Sequence, residues 1–152
     1  MIEYLDGDLL DAFDKGDVNT VLHVTNCQKK MGSGIALQIK KRYPEAYTAY
    51  LSDEGEVLGG VTESCEIGAF GDKTVFNLSA QRFYGRGRHR YLNYGALADC
   101  FKQVAGKMCD QDPIVIGIPY LMGCDRAGGD WEIVLEVVEH FFKDYDVTIY
   151  KL

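Results

Sequence analysis

Apolar residues recur along this chain with two periods, and stretches of each kind follow one another. Short runs rich in β-branched residues at 2–5, 20–25, 113–118 and 147–150 predict strands. Helical spacing predicts helices over 35–42, 45–52, 93–108 and 131–143. In the third of these Leu97, Phe101, Val104 and Met108 share one face. In the fourth Trp131, Val134, Val138 and Phe141 point inward, and Glu132, Glu136 and Glu139 point out. Tyr43, Tyr47 and Tyr50 also recur at helical spacing and form a packing stripe, and the Tyr43-Pro44 pair breaks the preceding helix. Residues 11–19 are polar with some helical content. Residues 61–70 and 73–78 read as two strands joined at Gly71-Asp72, a hairpin signal. Strands therefore alternate with helices apart from one hairpin. That pattern predicts an α/β fold: a mixed, largely parallel sheet between helical layers. The continuous apolar run 113–118 suits the centre of such a sheet.

Two stretches, 21–42 and 114–142, repeat one plan of strand, glycine-bearing loop and helix. In the first, Val21, Leu22 and Val24 lead into Thr25, Asn26 and Cys27; Met31, Gly32, Ser33 and Gly34 follow, then a helix with Ile35, Leu37 and Ile39. In the second, the strand runs into Pro119-Tyr-Leu-Met-Gly-Cys-Asp-Arg-Ala-Gly-Gly-Asp130. This plan presents backbone N–H groups and a helix N-terminus to an anion. In an open α/β sheet both loops should lie side by side at one edge. Neither loop is GxGxxG or GxxxxGK[ST], so the two commonest nucleotide fingerprints are absent.

The length of 152 residues suits one domain spanning 1–152, with 47% hydrophobic and 26% charged residues. No apolar run approaches a membrane span, and the acidic start MIEYLDGDLL is not a secretory signal. These features place the protein in the cytoplasm and away from membranes. The net charge of −7 argues against broad nucleic-acid binding, which needs a basic face, but leaves room for a small anionic ligand in a local cleft. The five cysteines, Cys27, Cys65, Cys100, Cys109 and Cys124, are dispersed and never spaced as CxxC, so free thiols are expected rather than disulfides or a metal site. No cofactor is implied.

Several polar residues have two readings. Asp8 follows the first strand in an Asp-Gly-Asp turn; it serves the turn, or accepts from an amino group such as that of adenine. His23 lies inside a buried strand, where a histidine is more often a satisfied core residue than a catalyst. Asn26 supports its loop or grips a ligand hydroxyl. Lys29 and Lys30 are solvated, or steer an anion. Asn77, Ser79 and Gln81 place polar groups at another strand's carboxyl end. Residues 82–90 (RFYGRGRHR) form the basic cluster: a solvated loop, or a flap that covers a phosphate or stacks a base.

HVTNCQKKMGSGIALQIKKRYPEAY resembles the first ligand loop of macro domains, the ADP-ribose-binding modules, in which a strand ends in asparagine and a glycine loop precedes "GIA" at a helix start. GIPYLMGCDRAGGDWEIV is similar to that family's second loop, with "IP", a "GCG"-like turn and "GGxW". VFNLSAQ and YLDGDLL resemble the intervening and opening strands. The likeness runs through nearly the whole chain in order and is nearest to the Appr-1″-p processing branch. It implies the three-layer α/β/α macro fold. It also implies site roles. Asp8, with Leu9, would contact adenine; Asn26 would hold the distal ribose; Gly32, Ser33, Gly34 and Ile35 would line the pyrophosphate and ribose; Gln81 would border the ligand. Gly123, Cys124, Asp125 and Arg126 would wrap the pyrophosphate from the other side. Asp125 and Arg126 stand where the family usually has glycine and leucine.

For catalysis the resemblance implies His23 as acid/base or phosphate contact, with Asp130 or Asp125 positioning water. No metal-ligand cluster is visible in the sequence, so metal independence is expected. The related hydrolase branch uses a lysine after the VFNLS-type strand; here Ala80, Gln81 and Arg82 stand there, so a covalent lysine mechanism is not expected. The leading expectation is a phosphatase converting ADP-ribose 1″-phosphate to ADP-ribose. The alternatives are a hydrolase removing ADP-ribose from protein or nucleic acid, whose macromolecule the basic cluster would contact, and a binding module without turnover.

Overall fold

The computed structural model describes residues 1–68, 71–83, 90–108, 113–125 and 127–152. Six strands form one sheet: β1 (Ile2–Asp6), β2 (Thr20–Asn26), β3 (Val61–Gly68), β4 (Gly71–Gln81), β5 (Val115–Pro119) and β6 (Asp146–Lys151). Five α-helices accompany them: α1 (Leu9–Lys15), α2 (Gly34–Arg42), α3 (Pro44–Tyr50), α4 (Tyr94–Met108) and α5 (Trp131–Phe142). The strand order is β1-β6-β5-β2-β4-β3. Every pairing is parallel except β3 with β4, so the sheet is mixed and largely parallel, as the pattern predicts.

Successive residues of the central strands point to opposite faces. Leu22, Phe76, Leu78, Ile116 and Ile118 pack beneath α4 and α5, with Leu97, Phe101, Val104, Met108, Val134, Val138 and Phe142. Val21 and Val75 pack on the other face with Leu9, Phe13, Ile39, Ala46 and Tyr50 from α1, α2 and α3. The result is a three-layer α/β/α sandwich. Glycine at 117, in the middle of β5, lets α1 approach: a Cβ there would lie 2.5 Å from Leu9 Cδ1 and 3.0 Å from Val18 Cγ2.

Three expectations about elements change. The hairpin does not turn at Gly71-Asp72: β4 already begins at Gly71, and Ile67 pairs with Asp72. Helix α1 starts at Leu9 rather than within the polar 11–19 stretch, because the Asp8 carboxylate caps it by accepting from Leu10 N (2.9 Å) and Asp11 N (3.1 Å). On α5 Phe142 is buried more deeply than Phe141. Of the five cysteines, Cys27, Cys65, Cys100 and Cys124 are free thiols; Cys109 lies outside the described residues.

Phe101 is fully buried, with ring centroids 5.0 Å from Phe142 and 6.3 Å from Phe141. Phe101→Ala should lower stability by about 3–5 kcal/mol, measured by urea unfolding; a loss below about 1 kcal/mol would mean that α4 and α5 do not pack through this residue.

Candidate functional site

β2 and β5 are parallel neighbours, yet the chain leaves β2 toward one side of the sheet and β5 toward the other. A crevice opens outside the carboxyl ends at such a switch point. Here it is a cleft of about 820 Å³ bounded by the end of β2, Lys30, residues 32–36, Gln81, residues 119–123, Asp125 and Ala127.

The first wall begins with a bulge. Pairing between β2 and β4 shifts after Thr25 and Ser79, so that Asn26 faces Gln81. The Asn26 side chain then folds the following loop around itself. Its Oδ1 accepts from Gln28 N (2.9 Å), Lys30 N (3.3 Å) and the Tyr50 hydroxyl (3.0 Å). Its Nδ2 donates to the Lys30 carbonyl at 2.8 Å. The Tyr50 hydroxyl also donates to the Asn26 carbonyl and accepts from Lys30 N, and burial pushes its pKa up to about 12. Asn26 thus shapes the loop, and its second Nδ2 proton has no partner among the described residues. Lys29 takes φ 60° and pairs with Glu56 at 2.9 Å, whereas Lys30 borders the cleft.

The loop delivers the chain to α2 through Gly34 at φ +58°. Ser33 occupies the N-cap but its side chain makes no capping bond. Among the described residues, the amides of residues 32–36 have no acceptor. They are unpaired donors at the positive end of a helix dipole, and Gly32 to Ala36 all border the cleft.

The second wall is folded on itself. Met122 N donates to Pro119 O (3.1 Å), Cys124 N to Leu121 O (2.7 Å) and Gly129 N to Gly123 O (2.9 Å). A Cβ at Gly129 would sit 2.6 Å from that carbonyl, so only glycine permits this closure. Leu121 takes φ 61° and Gly123 φ 73°. The amides of Leu121, Gly123 and Asp125 have no acceptor among the described residues, and all three residues border the cleft.

The structure thus brings Asn26, Gly32, Ser33, Gly34, Ile35, Gln81, Gly123 and Asp125 to one cleft. It places other expected residues elsewhere. His23 is fully buried on β2, 2.5 Å from Asn77 Oδ1; Asn77 Nδ2 in turn donates to the Ala46 carbonyl and to Thr62 Oγ1, each at 3.0 Å. This network lies beneath α3, away from the cleft, and burial lowers the His23 pKa to about 4, only partly opposed by the Asn77 bond. The neutral ring is structural, because no reacting atom can reach it. Asp130 is not at the cleft either: its carboxylate accepts from Glu132 N at 2.9 Å and caps α5. That helix end carries its own anion, unlike that of α2. Asp8 caps α1, the Leu9 side chain is in the core, and neither borders the cleft. Cys124 does not border the cleft; its thiol donates to the Met122 carbonyl at 3.5 Å and is pushed up to about 11 by burial and by Asp130. Arg126 lies outside the described residues.

No protein-family model matches the chain. It is 34% identical over 157 aligned positions to a DNA ADP-ribosyl glycohydrolase of Mycobacterium tuberculosis, an alignment covering 99% of this chain but 42% of that relative. It is 45% identical over 40 residues, 26% of this chain and 20% of the relative, to an ADP-ribose 1″-phosphate phosphatase of Aspergillus clavatus. The macrodomain of Mycobacterium tuberculosis DarG superposes with a TM-score of 0.80 at 28% identity, covering 100% of this chain and 98% of that one. The chain is a macro domain. The fold and family expected from its two glycine loops are those found.

Sequence reasoning missed Tyr50, Leu121 and Met122 in this macro domain. Nothing in the sequence marks Tyr50 as different from Tyr47. Only the packing of α3 under the first loop brings its hydroxyl to Asn26.

The His23 ring makes a definite prediction. Its folded pKa of about 4 lies below the ordinary 6.5, so the unfolded chain binds the proton first. Its contribution is complete above pH 6.5 and is lost as pH falls toward 4, by about 3 kcal/mol. Urea unfolding at several pH values should show this extra acid loss in the wild type and not in His23→Gln. Equal pH profiles would remove the account.

Proposed function

We propose that this macro domain binds the ADP-ribose moiety in the β2/β5 cleft and hydrolyses the bond at the distal ribose, releasing ADP-ribose from a macromolecule. The observation that carries the reading is the set of unpartnered amides, residues 32–36 on one wall and Leu121, Gly123 and Asp125 on the other. A diphosphate between them would receive hydrogen bonds from both walls and sit at the uncapped end of α2. Among the described lining residues the charged side chains are Lys30 and Asp125, so backbone dipoles rather than side-chain cations would hold most of the anion. The Asn26 amide, fixed by its loop, would offer its remaining N–H to a ribose hydroxyl.

Asp125 is the carboxylate available for acid/base work, since Asp130 is occupied as a cap. In the proposed step Asp125 orients a water toward the anomeric carbon of the distal ribose. A carbon–oxygen bond forms, the bond to the leaving group breaks, and the water proton passes by way of Asp125 to the departing atom. Gln81 gives its Nε2 to the Phe83 carbonyl at 2.9 Å and supplies no nucleophile. The mycobacterial likeness, which runs through 99% of this chain and 42% of that relative, favours DNA as the modified macromolecule. A second reading, removal of phosphate from ADP-ribose 1″-phosphate, draws on the shorter fungal likeness, but no histidine borders the cleft among the described residues.

Calorimetry should show ADP-ribose binding to the wild type. Product analysis on ADP-ribosylated DNA, ADP-ribosylated protein and ADP-ribose 1″-phosphate should show ADP-ribose released from the DNA. Asp125→Asn should lower kcat by roughly 10²–10⁴-fold while keeping ADP-ribose affinity, and His23→Gln should keep its turnover. Absence of ADP-ribose binding, or full turnover in Asp125→Asn, would sink the proposal; phosphate release alone would favour the second reading.

A further inference from the structure

We propose that Arg82, Phe83 and Arg90 form a contact surface for the single nucleic-acid strand that carries the ADP-ribosyl group, gripping its phosphates and stacking a neighbouring base. This rests on the reading of the cleft as an ADP-ribose site and adds a second contact beside it.

Charge is the first observation. Residues 73–98 contain no aspartate or glutamate, and they contain Lys73, Arg82, Arg86, Arg88 and Arg90, in a chain of net charge −7. Residues 84–89 lie outside the described residues, so the argument uses the two ends of the segment alone.

Position is the second. The segment leaves β4 against the first wall, where Cys27 N donates to the Gln81 carbonyl at 3.0 Å and to that of Arg82 at 3.2 Å. It returns against the second wall, where Tyr91 N and Leu92 N both donate to the Ala127 carbonyl, at 2.8 and 3.0 Å. Gln81 and Ala127 border the cleft, so Arg82 and Arg90 stand at its two margins.

Chemistry is the third. Arg82 and Arg90 are exposed and have no carboxylate partner among the described residues. Arg90 lies over the Tyr94 ring, 4.4 Å from its centroid, which orders the guanidinium without using its N–H donors. Phe83 is 56% exposed. Two exposed cations, one of them held over an aromatic ring, and an exposed aromatic face match a chain of alternating phosphates and bases. An acidic peptide would satisfy the arginines but would leave Phe83 unused. A single strand is required because a modified nucleotide stacked within a duplex cannot reach the end of a cleft. The acidic remainder of the surface repels unmodified nucleic acid, so the strand is held only when its ADP-ribose is anchored.

The test is fluorescence anisotropy in an Asp125→Asn background with four probes: ADP-ribose, a DNA strand of roughly ten nucleotides bearing one ADP-ribosyl group, the same strand unmodified, and an ADP-ribosylated peptide. The modified strand should bind at least about tenfold tighter than ADP-ribose, and the unmodified strand only weakly. Adding Arg82→Ala with Arg90→Ala, or Phe83→Ala alone, should abolish most of that gain and leave ADP-ribose affinity unchanged. The arginine pair should also flatten the salt dependence, log Kd against log salt, by about 1.4. Equal affinity for modified strand and ADP-ribose overturns the proposal, as does a parallel loss on both probes. The same gain on the peptide, lost with the same variants, overturns the choice of nucleic acid. Failure of ADP-ribose itself to bind in the wild type overturns the cleft reading, and this inference with it.

Discussion

β2 and β5 lie side by side and run the same way, so both chains leave the sheet at one edge with their backbone groups no longer paired by a neighbouring strand. Buried or half-buried amides must find acceptors. In the second loop some do so internally, through the bonds from Met122, Cys124 and Gly129 to carbonyls of the same loop. The remaining amides open on the cleft. The site is therefore a consequence of strand order: had a further strand separated β2 from β5, each wall would have faced a different neighbour.

The two helices that follow these loops are not equivalent. α5 is closed by the Asp130 carboxylate, which satisfies an orphan amide and opposes the helix dipole. α2 has serine at the same place without a capping bond. A capped helix is locally stable; an uncapped one keeps donors for something else. The asymmetry gives the cleft one wall at an uncapped helix start and one wall of isolated amides beside a carboxylate.

Buried polar groups elsewhere serve the frame. His23, Asn77 and Thr62 link β2, β4 and β3, and the Asn77 amide reaches the Ala46 carbonyl in α3. α3 in turn carries Tyr50, whose hydroxyl holds the Asn26 loop. Hydrogen bonds through Asn77 and α3 thus connect the buried histidine to the helix that carries Tyr50. At the other margin, Tyr94 supports Arg90 with its ring and accepts the Asp130 amide N–H with its hydroxyl at 2.8 Å, so the basic segment and the second loop share an anchor.

What the residues alone determined was the succession of strands and helices and the presence of two glycine loops at strand ends. Period and turn chemistry act over a few neighbouring positions, and they are legible without the rest of the chain. Leu97, Phe101, Val104 and Met108 could be assigned to one buried face from spacing alone. The roles of His23, Asp8 and Asp130 could not. Each is a polar residue beside a loop, and the choice between capping, core and catalysis depends on distances to residues far away in sequence. Asp8 and Asp130 cap amides two or three residues further on, whereas tertiary packing buried His23 beneath α3. Packing left Asp125 exposed at the cleft, beside a loop that folds on itself through the bond from Gly129 N to the Gly123 carbonyl. Local sequence carries local geometry; which polar group stays free is settled only when distant segments close around it.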